Sequence, residues 1–179
     1  MVIKMKDVVL LYDNCCIFEI VILNYFLNAT GSKLIFCSSH GKTVRATEGY
    51  SLNVDMPIED VDWADVRSFI VPGGETANID DAVVTDIIGK LRQKNVLIAG
   101  ICAGVDVLDK AGILKDIRST VRAEEDCVRD GNVITARANA YVDFAIEAAK
   151  ALDLFEDEAD LQETISFWKY HQRAEEETD

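Results

Sequence analysis

Ile98-Ala-Gly-Ile-Cys102-Ala-Gly104 joins an apolar run to a helical pattern, and the reading of this join decides the fold. Asn95-Val-Leu-Ile-Ala-Gly-Ile101 reads as a buried strand, and a helix starts just after Cys102. The small neighbours Gly100, Ala103 and Gly104 let the chain bend there without clashes. A thiol at such a turn sits at a helix N-terminus, whose partial positive charge favours the thiolate, the nucleophilic form. A buried, inert cysteine is the plainer alternative, since free thiols commonly end that way.

Working outward, apolar runs alternate with helical patterns. Asp7-Val-Val-Leu-Leu-Tyr12, Lys33-Leu-Ile-Phe-Cys-Ser38 and Ser68-Phe-Ile-Val-Pro72 read as core strands. A buried helix is expected from Ile17 to Leu27, ended by Gly31. Thr43–Thr47 and Tyr50–Val54 flank Glu48-Gly49 as a hairpin. Asp80 or Asp81 is positioned to cap a helix carrying Val84, Ile87, Ile88 and Leu91 on one face. Asp130-Gly131 marks a turn before the strand Asn132–Ala136, and Tyr141, Phe144, Ala145, Ala148 and Leu152 form another helical face. Leu161, Ile165 and Trp168 suggest an amphipathic C-terminal helix with a frayed end from Glu175 to Asp179. The alternation implies an α/β fold: a three-layer sandwich with a mostly parallel central sheet and helices on both faces, plus the extra C-terminal helix. The expected division is a main domain over 1–155 and an acidic helix and tail over 156–179.

The 179 residues suit one domain, and 49% hydrophobic content is enough for a core. No apolar run reaches the length of a membrane span, and Met1–Lys6 leads straight into a strand pattern without a signal peptide, so a cytoplasmic location is expected. The net charge of −14, with no basic patch, excludes nucleic acid as the expected partner. Half of that charge lies in Glu156–Asp179, whose nine acidic residues face only Lys169 and Arg173. The five cysteines, Cys15, Cys16, Cys37, Cys102 and Cys127, are odd in number and lack a CxxC pair, which argues against a disulfide framework or a zinc site.

Two segments give Cys102 company. Val71-Pro-Gly-Gly74 ends a neighbouring strand, and its glycines allow backbone N–H groups to approach a ligand. The N–H groups of Gly74 and Ala103 are the candidate oxyanion hole. Glu19 is the one acidic residue in the apolar run from Cys15 to Leu27, so it needs a partner if buried; the plainer reading is a first-turn glutamate favouring the helix dipole. Cys15 and Cys16 lie near the same place, as two ordinary thiols or as a peripheral disulfide partner of Cys102. Asp13 and Asn14 read as turn residues, Glu75 and Asp106 as solvated carboxylates, and Trp63 and Trp168 as packing residues.

Glu19, Val71-Pro-Gly-Gly74 and Ala99-Gly-Ile-Cys-Ala-Gly104, taken in order with Asp130-Gly-Asn-Val-Ile-Thr135 and Tyr141-Val-Asp-Phe-Ala145, resemble the ThiJ/PfpI superfamily. This family, also called intracellular protease/amidase-like, has a class I glutamine amidotransferase-like, flavodoxin-like fold. The likeness covers roughly residues 5 to 152. It implies that Cys102 is the elbow cysteine, nucleophile or oxidisable thiol. It implies that Glu19 is a glutamate held protonated against that sulfur, and that Gly74 and Ala103 line the oxyanion hole. It further implies a homodimer, a small-molecule substrate and no cofactor. Catalytic members usually carry a histidine after the elbow helix, yet the 27 residues between Cys102 and Asp130 contain none. His40 reads as a surface loop residue, and His171 reaches the site only if the C-terminal helix folds back. Three readings stay open: a cofactor-free cysteine hydrolase or lyase on a small carbonyl or amide compound; a redox-sensing or stress-response protein acting through oxidation of Cys102; and an inactive member of the family.

Overall fold

The computed structural model describes residues 5–79 and 81–173. The frayed Glu175–Asp179 end and the capping role of Asp80 or Asp81 fall outside what is described. The strands are β1 (Lys6–Leu10), β2 (Lys33–Ser38), β3 (Thr43–Arg45), β4 (Ser51–Asn53), β5 (Met56–Pro57), β6 (Val66–Val71), β7 (Leu97–Ile101), β8 (Cys127–Asp130) and β9 (Val133–Ala136). The helices are α1 (Val21–Ala29), α2 (Asp81–Gln93), α3 (Gly104–Lys110), α4 (Tyr141–Ala151) and α5 (Glu158–Trp168).

Seven strands form one sheet in the order β5-β2-β1-β6-β7-β9-β8, with β3 and β4 as a separate antiparallel pair. Every pairing in the large sheet is parallel except β8 with β9. Val8 sits opposite Ile35 and Phe69, and Ile70 opposite Ala99. β7 is buried along its whole length, as a central strand covered on both faces must be. α1 and α4 pack together on one face, α2 and α3 on the other. The three-layer α/β sandwich is therefore as the alternation of elements implied. The order reverses between β1 and β6, and in such sheets the crevice beyond the carboxyl ends of the strands at this switch point is where ligands bind.

α5 returns onto the α1/α4 face. The Asp157 side chain accepts the Asp160 N–H at 2.9 Å and caps the helix. The Trp168 ring lies 5.8 Å from the ring centres of both Tyr25 and Phe26, and Lys169 pairs with Asp143 at 2.6 Å. Trp63 packs edge-on against Phe69. Both tryptophans are packing residues, as their sequence surroundings suggested. Among the described residues, no helix is long and apolar enough to cross a membrane.

Three expectations need correction. The helix expected from Ile17 begins only at Val21, and Glu19 lies in the turn before it. The reason is competition for its first residues. The Phe18 N–H goes to Glu48 Oε1 at 2.8 Å, and the Ile20 N–H closes a turn onto Ile17 at 3.0 Å. Asp130-Gly131 is the tip of a β8–β9 hairpin, so a strand also precedes it. Neither β8 nor the two-residue β5 carries a long apolar run, because both are short edge strands. The strand expected to reach Tyr12 stops at Leu10.

Candidate functional site

Cys102 stands at the end of β7 with φ of 55°, a left-handed conformation that is uncommon for residues other than glycine. Its own N–H is tied to the Ala136 carbonyl at 2.8 Å, and its carbonyl accepts the Val105 N–H at 3.0 Å. Such strain costs roughly 1–3 kcal/mol and persists where the surroundings over-determine it. The surroundings here are tight. A Cβ on Gly104 would stand 2.2 Å from the Val71 carbonyl oxygen, and one on Gly100 would meet Leu108 at 2.9 Å. Glycine at both places lets α3 start hard against β6 and β7, which throws the Cys102 side chain over the sheet edge.

Glu19 reaches the same point from the β1 side. Its residue is 2% exposed, yet its carboxylate is not orphaned. Oε2 accepts the Gly73 N–H at 2.6 Å, and the carboxyl faces the Cys102 sulfur across Gly73. Gly73 is what makes room for this meeting. A Cβ there would lie 2.6 Å from Cys102 Cβ, 2.7 Å from Glu19 Oε2 and 3.0 Å from the sulfur. Gly74, at φ of 130°, presses against the Cys15 loop, and a Cβ would fall 2.1 Å from the Asn14 carbonyl oxygen. Among the described residues no acceptor is found for the Gly74 N–H, and the Ala103 N–H draws the Cys102 thiol toward its ionised form.

The β3–β4 hairpin clamps the loop that carries Glu19. Arg45 accepts from the Asn14 N–H at 2.7 Å and donates its own N–H to Asp13 at 2.8 Å. Thr47 donates both to the Cys15 carbonyl and, through its hydroxyl, to the Asn14 carbonyl. Asn14 Nδ2 reaches Glu75 at 2.7 Å. Cys15 is fully buried, whereas Cys16 is partly exposed with its thiol 3.8 Å from the Thr47 hydroxyl.

Electrostatics couples the pair. Burial raises the Glu19 carboxyl above the usual range, with the Gly73 N–H and Cys102 pulling the other way and Glu48 adding to the rise. Burial, then the charge of Glu19, pushes the Cys102 thiol up to about 11, against the pull of the Ala103 N–H. The Ala103 N–H at the start of the helix pulls toward the thiolate, as expected, and is opposed. α3 is only seven residues long, and desolvation plus a neighbouring carboxylate outweigh its end. Each group shifts the proton affinity of the other: Glu19 raises the thiol and Cys102 lowers the carboxyl.

The DJ-1/PfpI family model matches residues 5–151, the span that holds every one of these groups. The chain belongs to the DJ-1/PfpI family. A deglycase of Thermococcus kodakarensis is 26% identical over 150 residues, covering 74% of this chain and 90% of that one. An uncharacterized protease of Bacillus subtilis, YdeA, is 28% identical over 158 residues, covering 78% and 79%. Among solved structures, a DJ-1 superfamily protein of Agrobacterium tumefaciens superimposes with a TM-score of 0.84 at 24% identity, over 94% of this chain and all of that one. A ThiJ/PfpI family protein of Bacillus anthracis reaches 0.87 at 20% identity, over 94% and 92%.

Within this DJ-1/PfpI chain, neither histidine is among the groups acting on Cys102. His40 is exposed after β2. His171 does come back with α5, but it lines an apolar cleft with Ile22, Tyr141 and Trp168. Three contributors escaped the sequence. Gly73 holds Glu19 through its N–H; Tyr12 hydrogen-bonds the Pro72 carbonyl at 2.8 Å; and Glu48 acts on Glu19 from the hairpin. The Pro72-Gly-Gly74 run signalled the first. Nothing local signalled the other two, which depend on long-range packing.

Proposed function

We propose that this protein is a cofactor-free, cysteine-dependent hydrolase or lyase acting on a small carbonyl or amide compound. The observation that carries the reading is the meeting, across Gly73, of Cys102, strained at its elbow, with the buried carboxyl of Glu19. The sulfur attacks the substrate carbonyl carbon, and the S–H proton passes to Glu19 as the S–C bond forms. The N–H groups of Ala103 and Gly74 hold the developing oxyanion. With an amide, the C–N bond then breaks, Glu19 returns the proton to the leaving nitrogen, and water cleaves the thioester. A carboxyl raised by burial suits this exchange, because it takes up a proton more readily than an ordinary glutamate. The deglycase relatives support chemistry at a carbonyl-derived centre.

The test is a turnover screen on glyoxals and small amides with the wild type and Cys102→Ser. Cys102-dependent turnover is expected, with a loss of at least about 100-fold in the serine variant. Turnover that Cys102→Ser leaves intact sinks the reading.

A further inference from the structure

The peptide unit between Pro72 and Gly73 is gripped from both sides. Its carbonyl oxygen accepts the buried Tyr12 hydroxyl at 2.8 Å, and its N–H donates to Glu19 Oε2 at 2.6 Å. In a trans peptide these two groups point in opposite directions, so a donor on one side and an acceptor on the other fix its plane. A hydrogen bond to a carbonyl also polarises the amide and strengthens its N–H as a donor. Tyr12 is 1% exposed and stands just beyond β1, in the segment that leads into the Glu19 loop.

We propose that Tyr12 is a positioning residue for Glu19, acting through the Pro72–Gly73 peptide to orient and tune the carboxyl that meets the Cys102 sulfur. Tyr12 does not touch the reacting atoms; its effect travels as O–H to C=O, through the amide, and N–H to carboxylate. The proposal rests on the Glu19–Cys102 pairing but not on any substrate. The other titratable groups around this chain of bonds are Cys15 and Cys16 from the same loop and Glu48 from the hairpin. Burial raises the Tyr12 phenol far above its ordinary range, so it stays a donor throughout the working pH range.

The Gly73 N–H holds the Glu19 proton affinity down, so weakening that donor raises it. The experiment follows the Glu19 side-chain carboxyl by ¹³C NMR and the Gly73 amide proton by ¹⁵N-resolved NMR, with Glu19→Gln used for assignment. In folded Tyr12→Phe, the Gly73 amide moves upfield and the Glu19 proton affinity rises by between about 2- and 10-fold. Replacing the tyrosines with 3-fluorotyrosine, whose hydroxyl is a stronger donor, shifts both in the opposite direction. That arm decides the matter should Tyr12→Phe not fold. A folded Tyr12→Phe with the wild-type Gly73 shift and Glu19 titration overturns the proposal, as does a fluorotyrosine protein that titrates like the wild type. Neither result depends on turnover, so a failed substrate screen leaves this inference standing.

Discussion

At the residue scale, the site is defined by what small side chains permit. Gly73 leaves no room for a methyl between the Cys102 sulfur and the Glu19 carboxyl. We predict that Gly73→Ala forces the two apart and costs about 1–3 kcal/mol of stability. Chemical denaturation reads the cost, and loss of Cys102-dependent turnover reads the separation. A variant with wild-type stability and turnover contradicts the geometry described. Part of this was legible in the sequence. The small residues around Cys102 announced a tight turn, and an isolated glutamate in an apolar run announced a buried carboxyl. The thiol's proton affinity was not legible, because it depends on burial and on the charge of Glu19, 83 positions earlier in the chain.

At the element scale, the carboxyl ends of β1, β6 and β7 deliver Glu19, Gly73 and Cys102 to one crevice, and the opposite ends hold the strands together. Asp7, with no exposed surface, accepts both Nε and Nη2 of Arg67, the Ser68 hydroxyl at 2.5 Å and the Ser32 hydroxyl. This network pins β1 to β6 and to the start of β2. Asp7→Ala leaves the mostly buried Arg67 guanidinium and two hydroxyls without their acceptor. We expect a loss of about 3–5 kcal/mol, read as a lower denaturant midpoint. The core strands were readable because continuous apolar runs have one explanation in a parallel sheet. The first helix was read too long, because Ile17 and Ile20 are apolar for a different reason: they pack against the core from the turn that carries Glu19. Apolar content alone does not distinguish the two.

At the scale of the whole molecule, stability and the site pull against each other. Folding raises the Glu19 carboxyl, so the folded state prefers it protonated. The stability this contributes is present at low pH and is lost as pH rises through the raised value. Once ionised, the buried carboxylate is a net burden. Glu19→Gln should therefore melt at a higher temperature than the wild type near pH 7, and the advantage should shrink below the ordinary glutamate range near pH 4. Calorimetry across that range checks the sign. The DJ-1/PfpI framework, seen over residues 5–151, thus carries an unstable centre that the rest of the fold supports.

The most direct measurement of the central claim, that Glu19 raises the proton affinity of the Cys102 thiol, is the rate of Cys102 alkylation by iodoacetamide as a function of pH. Wild type should show its midpoint pushed up to about 11. Glu19→Gln removes the carboxylate but not the burial, so its midpoint should fall and still lie above the ordinary cysteine value near 8.5. A wild-type midpoint near 8.5 that Glu19→Gln leaves in place would contradict the account.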